Sequence, residues 1–262
     1  AGADIIETNT FNANSISQSD YDLEDSVFEM NFQSAQLAVN AVKRFNKNNK
    51  DTKFVCGSIG PTNRTASMSP KVEDLSFRNV TFDELYDTYY EQVDGLIKGG
   101  VDLLMVETIF DTLNAKAALF AIDKIKSEKK LDIPVMVSGT ITDASGRTLS
   151  GQTVEAFVIS ISHIPLLSIG FNCALGADQL LPYVKRLSKI TDTYTSVHPN
   201  AGLPNAFGEY DQSPENMIDQ IREYLEDNLV NIIGGCCGTT YEHIKLIAEE
   251  VKKYKPRVLP NE

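Results

Sequence analysis

The sequence has few of the features that mark a membrane or nucleic-acid-binding protein. None of its apolar runs approaches the roughly 18 residues that indicate a membrane span. Basic residues are also scarce, since 24 Lys and Arg face 36 Asp and Glu, for a net charge of -12. Proteins that bind a phosphate backbone need a basic face. We therefore expect neither a membrane nor a nucleic-acid partner.

Cysteine is sparse too, with four residues in 262. The count is even, but the chain shows no signal peptide and is not small, so a disulfide scaffold is not expected. Two of the four, Cys236 and Cys237, are adjacent, and adjacent residues rarely reach disulfide geometry without strain. Metal binding or catalysis is the favoured use of the thiols, and we expect a cytoplasmic location.

Three common catalytic or cofactor motifs are missing. No Gly-x-Gly-x-x-Gly turn follows the first strand, as it usually does in a dinucleotide-binding open sheet. No Gly-x-Ser-x-Gly is present for a Ser–His–Asp hydrolase, and the three His residues are not clustered. No Lys stands at the end of a predicted strand, which argues against a metal-free aldolase-type barrel. These absences direct attention to the cysteines.

What the sequence does have is a regular alternation of short apolar runs and amphipathic helical patterns. Near-continuous apolar runs suit the strands of a parallel sheet that is covered on both faces. The predicted strands are 4–8, 53–58, 102–107, 133–138, 166–172, 194–198 and 229–234. The predicted helices are 22–47, 82–98, 112–128, 153–162, 177–190, 214–228 and 241–254. Capping boxes are expected at Thr81 with Glu84 and at Thr239 with Glu242.

Seven βα units in succession predict an α/β fold of the (β/α)8 TIM-barrel type, with a doubly wound open sheet as the alternative. Ala1-Gly2-Ala3-Asp4 leads into the first strand as Gly99-Gly100-Val101-Asp102 leads into the third, where the glycines end a helix. We therefore expect the first barrel strand to be missing before Ala1. Residues 1–262 are interpreted as a single, N-terminally incomplete barrel domain, with the start of a linker at 255–262.

Three thiols follow strands whose carboxyl ends a barrel would bring to one face. Cys173 follows 166–172, and Cys236 and Cys237 lie in the Gly-rich turn before the last helix. Three thiolates with one open position would form a catalytic zinc site, and the helix N-terminus beside the pair favours thiolate. The alternative is that each cysteine is a small buried hydrophobe, which is what we expect of Cys56.

A zinc ion held by thiolates favours one kind of chemistry over another. Soft thiolates select zinc over magnesium or calcium. Because such a zinc carries net negative charge, it activates water poorly and is better suited to hold a substrate thiol as thiolate. The pattern therefore points to transfer of a group onto sulfur. Asn200 lies next to the thiols, where its amide oxygen would either take the open position on the zinc or simply shape the turn. His198 ends a predicted strand and is a candidate to hydrogen-bond a metal ligand rather than the metal itself.

Other polar side chains also end predicted strands. The carboxylates of Glu7 and Glu107 are candidates to bind a substrate ammonium, and Thr8 and Asn9 follow the first of them directly. The alternative for each is a hydrogen bond within the upper layer of the barrel. The remaining histidines, His163 and His243, are expected to be structural residues on helices.

Two motifs together resemble the zinc signature of homocysteine S-methyltransferases, namely Gly170-Phe171-Asn172-Cys173 and Gly234-Gly235-Cys236-Cys237-Gly238. Further segments are similar to the homocysteine-binding module of cobalamin-dependent methionine synthases, and the similarity runs over essentially the whole chain. These segments are Gly60-Pro61-Thr62-Asn63-Arg64-Thr65, Arg78-Asn79-Val80-Thr81-Phe82-Asp83-Glu84-Leu85, Glu107-Thr108-Ile109-Phe110-Asp111-Thr112 and His198-Pro199-Asn200-Ala201-Gly202-Leu203-Pro204-Asn205.

The resemblance implies a zinc-dependent methyltransferase that converts L-homocysteine to methionine. Zinc would be bound by Cys173, Cys236 and Cys237, and the sulfur of homocysteine would take the fourth position. Glu107 would hold the substrate ammonium, with Thr8, Asn9 and Asn200 as further substrate contacts. Methylcobalamin on a separate module would donate the methyl group, and methyltetrahydrofolate on another module would then remethylate the cobalamin.

One departure from the family pattern limits this expectation. The Asp-Gly-rich loop that follows the family's first strand and contacts the amino-acid end of homocysteine is absent, so we expect this chain to bind homocysteine weakly by itself. Two alternatives remain open. One is a homocysteine methyltransferase that uses S-methylmethionine or betaine directly, and the other is a non-catalytic barrel with a structural zinc.

Overall fold

The structure, a computed structural model, describes residues 1–49, 51–142 and 145–260. Within them, seven strands form a sheet in which each strand neighbours the next one along the chain. The strands are β1 (Ile5–Glu7), β2 (Phe54–Ile59), β3 (Leu103–Ile109), β4 (Val135–Gly139), β5 (Ser168–Gly176), β6 (Tyr194–Asn200) and β7 (Ile232–Ile233). All seven predicted strands are confirmed to within a few residues.

Helices connect these strands. They are α1 (Ser15–Gln18), α2 (Val27–Asn48), α3 (Phe82–Gly99), α4 (Thr112–Lys129), α5 (Val154–Ile161), α6 (Ala177–Ile190), α7 (Pro214–Glu226) and α8 (Tyr241–Glu250), with 3-10 turns at Ser19–Tyr21, Glu24–Ser26 and Val251–Lys253. The first predicted helix begins later than expected, because the chain before Val27 winds through two 3-10 turns. Within the described residues, none of these helices combines the length and apolar character that crossing a membrane requires.

The order and direction of the strands identify the fold class. The strand pairs whose register is described are all parallel. Parallel strands that keep their sequence order, each joined to the next by a helix, are the arrangement of a (β/α)8 barrel, whereas a doubly wound sheet reverses its strand order part-way. The predicted TIM-barrel class is confirmed, with seven of its eight strands found among the described residues.

Helix starts follow the predicted capping chemistry in one case and depart from it in another. The box at α3 is confirmed, since Glu84 N donates to Thr81 Oγ1 at 3.2 Å and Thr81 N donates to Glu84 Oε2 at 2.7 Å. The box predicted at Thr239 is wrong, because the cap of α8 is Thr240, whose N–H donates to His243 Nδ1. The Thr239 hydroxyl instead donates to the carbonyl of Cys236 at 2.7 Å, within the preceding turn.

Contacts within the chain divide it into two compact units. The first unit contains Asp4–Met136 and Ser160–Pro165, and its strands β1 to β3 pack against α2 to α4 around fully buried leucines such as Leu85 and Leu119. The second unit contains Ala1–Ala3, Val137–Ile159 and Leu166–Glu262. Its strands β5 to β7 lie with α6 to α8 around buried apolar residues that include Phe171, Val184 and Ile221.

The segment predicted to begin a linker contains a buried residue. Arg257 is only 6% exposed, and its guanidinium donates hydrogen bonds to the carbonyls of Ser188, Thr191 and Thr193 at and just after the end of α6. Asn231 Nδ2 also donates to the carbonyl of Arg257 at 2.7 Å. Residues 261 and 262 lie outside the described residues, and the start of a linker at 255–262 stays a prediction.

Candidate metal centre

Cys173 stands on an irregular stretch of β5. The pairing of β5 with β6 shifts register between Asn172 and Gly176, as it does where a strand carries a bulge. Cys173 and Ala174 both adopt left-handed backbone conformations, with φ of 63° and 58°. Residues other than glycine seldom occupy this region, and when they do they are concentrated at functional sites. The irregular backbone therefore sets the direction of the Cys173 thiol.

The turn that holds the other two thiols is tied to the end of β6. Cys236 N donates to the carbonyl of Pro199 at 2.8 Å, and Ala201 N donates to the carbonyl of Cys237 at 2.9 Å. Glycine is required at Gly235, since a Cβ there would lie 2.2 Å from Cγ2 of Thr239. The Gly-rich sequence thus allows the close packing that fixes Cys236 and Cys237 beside the neighbouring strand.

The predicted thiols come together. The Sγ atoms of Cys173, Cys236 and Cys237 all lie within 4.8 Å of one another, and Cys173 Sγ is 3.6 Å from Cys237 Sγ. Zn–S bonds are about 2.3 Å long, so a tetrahedral zinc places its sulfurs about 3.8 Å apart. The donor set and its spacing therefore fit zinc. Cys237 is exposed while the other two are half-buried, so one side of the cluster is accessible.

Electrostatics within the cluster favour a thiolate at Cys173. A hydrogen bond from Cys236, helped by the backbone N–H of Ala174 and by Asn200, lowers the pKa of Cys173 to about 5. The same hydrogen bond, together with burial, raises the pKa of Cys236. Burial and the charge of Cys173 raise the pKa of Cys237. One thiol is thus ready to bind a cation at neutral pH, and the other two lose their protons as a metal binds.

Two buried asparagines, Asn172 and Asn200, are polar neighbours of the cluster. Asn200, 1% exposed, accepts a hydrogen bond at Oδ1 from Cys237 N at 3.1 Å. Asn172, also 1% exposed, directs Nδ2 at Cys236 Sγ across 3.8 Å. Its part in the site was missed from the sequence, although it immediately precedes Cys173. Tyr210, in the loop after β6, hydrogen-bonds Cys237 and was also missed.

The histidines are not ligands in the described cluster. His198 lies near the end of β6 and is half-buried as a whole residue. Burial of its ring disfavours the charged form and lowers its pKa to about 4. Its Nδ1 has no hydrogen-bond partner among the described residues. Its supporting role stays a prediction. His243 is 4% exposed on α8 and joins Thr240 to the carbonyl of Gln212, which fits a structural role. His163 lies in the turn after α5 rather than on a helix.

The candidate substrate residues at the ends of β1 and β3 belong to the first unit. Glu107 is 7% exposed and accepts hydrogen bonds from Ser58 Oγ at 2.6 Å and from Thr108 Oγ1 at 3.4 Å. Thr8 is 5% exposed, and its Oγ1 accepts from Ser58 N at 3.0 Å. Asn9 is exposed. The structure thus links Thr8 and Glu107 through Ser58, a residue that sequence reasoning missed.

Two further ionisable groups lie in the first unit. Cys56, 1% exposed within β2, is the buried core residue that was predicted, and burial raises the pKa of its thiol. The pKa of Glu7 is raised by burial of its carboxyl group and by the charge of Glu107. Other parts of the residue are exposed. Neither residue belongs to the three-thiol cluster.

Comparison with known proteins places these features in a family. A family model described as homocysteine S-methyltransferase matches residues 1–251. The chain belongs to the homocysteine S-methyltransferase family. The resemblance inferred from the two cysteine motifs is confirmed at this level, and homocysteine is the substrate of the family.

Solved structures similar to this family member include the homocysteine methyltransferase MmuM from Escherichia coli. Its metallated form aligns with a TM-score of 0.73 at 21% identity, over 95% of this chain and 80% of that chain. Its apo form aligns with a TM-score of 0.67 at 19% identity, over 96% and 80%. At these identities the likeness shows the fold, in agreement with the strand order.

Proposed function

We propose that this homocysteine S-methyltransferase binds zinc through Cys173, Cys236 and Cys237 and methylates the thiol of L-homocysteine to give methionine. The observation that supports it most strongly is the meeting of three thiols on one accessible side, with Sγ atoms within 4.8 Å of one another. When bound there, zinc would act as a Lewis acid and lower the pKa of the substrate thiol. A structural zinc site would instead have its fourth position closed by protein.

The chain's own residues would position the substrate. The buried amide of Asn200 reaches both Cys173 and the backbone of Cys237, so it is suited to hold the cluster in shape and to offer an oxygen when substrate is absent. We assign the ammonium of homocysteine to Glu107, with Thr8 and Asn9 as further contacts at the amino-acid end. Glu107 supplies the charge, since hydrogen bonds to charged groups are stronger than neutral ones.

The methyl donor is assigned from the sequence segments that resemble cobalamin-dependent methionine synthases. We propose methylcobalamin, carried on a separate module and remethylated from 5-methyltetrahydrofolate. The thiolate would attack the methyl carbon, so the new S–C bond forms as the cobalt–carbon bond breaks and its electron pair stays on cobalt. The protein contributes activation and orientation, and the cofactor supplies the methyl group in transferable form.

The test compares cysteines inside and outside the cluster. Cys237→Ser should abolish stoichiometric zinc binding and reduce methionine formation to background, because it removes one of three ligands. Cys56→Ala, a change at the fourth cysteine, should keep both. Zinc content would be measured by atomic emission and methionine by mass spectrometry. Full activity in Cys237→Ser would contradict the proposed zinc site.

The donor is tested separately with zinc-loaded protein and L-homocysteine. Methionine should form with methylcobalamin and remain at background with S-methylmethionine or betaine at the same concentration. If methionine formed only with S-methylmethionine or betaine, methylcobalamin would not be the donor, although the proposed zinc-dependent activation of the thiol would still stand.

A further inference from the structure

A buried amide lies directly behind one of the candidate zinc ligands. Asn172, on β5, is 1% exposed and donates from Nδ2 to Cys236 Sγ across 3.8 Å. The distance falls within the range of N–H···S contacts, which are longer than those to oxygen because sulfur is larger. Cys236 thus has a neutral hydrogen-bond donor on the side of its sulfur that faces the protein.

A second buried residue sets which end of that amide faces the sulfur. Ser138, on β4 and 0% exposed, donates from Oγ to Asn172 Oδ1 at 2.7 Å. The orientation of an asparagine amide is determined by its hydrogen-bond network. A flipped amide would direct its carbonyl oxygen at the sulfur, which is unfavourable when Cys236 is a thiolate. The serine hydroxyl therefore stabilises the orientation that presents N–H to the ligand.

Such a donor changes what the sulfur gives to a metal. An N–H aimed at a thiolate takes up part of its charge, and in a buried environment this interaction is stronger than in water. The thiolate then donates less charge to the metal, which keeps the metal a better Lewis acid toward the ligand in its fourth position. Residues behind metal ligands commonly set both the geometry and the affinity of a site.

We propose that Asn172 is a positioning residue, oriented by Ser138, that directs an N–H at Cys236 and so sets the affinity and Lewis acidity of the zinc centre. The proposal deepens the zinc-dependent function and rests on it. Cys237, by contrast, is exposed. The buried amide therefore distinguishes Cys236 from Cys237, the candidate ligand that faces solvent.

The first measurement is zinc affinity, determined by competition with a chromophoric chelator. Asn172→Leu removes the donor at nearly constant size and should weaken zinc binding about 10- to 100-fold, because the half-buried Cys236 thiolate loses the hydrogen bond that stabilises its charge and holds its sulfur in place. This loss outweighs the stronger donation of the unmasked sulfur. Ser138→Ala should weaken it less, because the amide remains but loses its fixed orientation. Ser138→Ala changes the size of the side chain very little, so it still tests the proposal if Asn172→Leu does not fold.

Thr140 supplies a matched control. Its Oγ1 donates to the backbone carbonyl of Asn172 at 3.1 Å and leaves the side-chain amide untouched. Thr140→Val should therefore keep the zinc affinity of the parent protein, although it also removes a buried hydrogen bond to the same residue. If Thr140→Val and Ser138→Ala lost the same amount of zinc affinity, the effect would be one of general packing and the proposal would be overturned.

Two further readouts separate orientation from structure. In an Asn172→Leu background, Ser138→Ala should have no additional effect on zinc affinity, because Ser138 acts through the amide. In cobalt-substituted protein, the thiolate-to-metal charge-transfer bands should shift to lower energy in Asn172→Leu, as the unmasked sulfur becomes a better donor. Unchanged bands and unchanged affinity in a folded variant would refute the inference alone, whereas failure of the parent protein to bind zinc would refute the proposed function.

Discussion

At the scale of single residues, the three thiols have unequal surroundings. Cys173 is held as thiolate, with a pKa of about 5, by a hydrogen bond from Cys236 and by further donors that include Asn200. Cys236 faces a buried amide, and Cys237 is exposed. These differences mean that the three candidate ligands are not interchangeable, even though all are cysteines. The exposed thiol marks the side from which a substrate would approach.

Glu107 offers a prediction at the same scale. Glu107→Gln keeps the shape of the side chain but removes its charge, so it should raise the KM for homocysteine about 10- to 100-fold, the equivalent of the 1.5–3 kcal/mol typical of hydrogen bonds to charged groups. Zinc affinity should stay unchanged. Steady-state kinetics with the zinc-loaded enzyme would measure the effect.

The control for that prediction is Glu249→Gln, which neutralises an exposed carboxylate on α8. It should leave the KM unchanged. A KM in Glu107→Gln equal to that of the control would show that Glu107 does not bind the ammonium.

At the scale of elements, local backbone geometry directs the thiols. The bulge in β5 places Cys173 in a left-handed conformation, and the Gly-rich turn before α8 brings Cys236 and Cys237 alongside β6 through backbone hydrogen bonds. Neither arrangement is regular secondary structure. The turn also depends on close packing, because Thr239 lies directly against Gly235.

The turn can be tested by filling the space at Gly235. Gly235→Ala should lower the free energy of unfolding by about 1–3 kcal/mol, as overpacking commonly does, and should also weaken zinc binding by displacing the cysteine pair. Thr239→Ser removes the methyl group nearest to the new Cβ and keeps the hydroxyl that donates to Cys236. The double variant should therefore recover part of both losses.

Urea unfolding and zinc competition would measure these effects. Thr239→Ser alone should change each of them little. If the double variant is no better than Gly235→Ala, the clash with Thr239 is not the reason for the glycine.

At the scale of the whole molecule, much of the fold follows from simple sequence patterns. Apolar runs such as 166–172 predict their strands because a strand buried on both faces must be apolar along its length. The position of the thiols at strand ends then predicts their convergence, since parallel strands in a barrel share one carboxyl face. The existence of the strands and the meeting of the three thiols are therefore accessible from sequence alone.

The remaining features depend on contacts that no local pattern reveals. Ser138 and Asn172 are 34 positions apart, and only the packing of β4 beside β5 brings the hydroxyl to the amide. The cap of α8 is Thr240 rather than the predicted Thr239, because the Thr239 hydroxyl is already bonded to the carbonyl of Cys236. The bulge at Cys173 likewise has no signal in the apolar run before it. Such details arise from competition among nearby polar groups.

The proposed centre is a zinc ion held by the three thiols, with its fourth position reserved for the sulfur of homocysteine. X-ray absorption at the zinc edge, recorded without and with L-homocysteine, tests it most directly. We expect three sulfur ligands and one oxygen or nitrogen ligand before homocysteine is added, and four sulfur ligands afterwards. A coordination shell that does not change on addition of homocysteine, or a protein that binds no zinc, would contradict it.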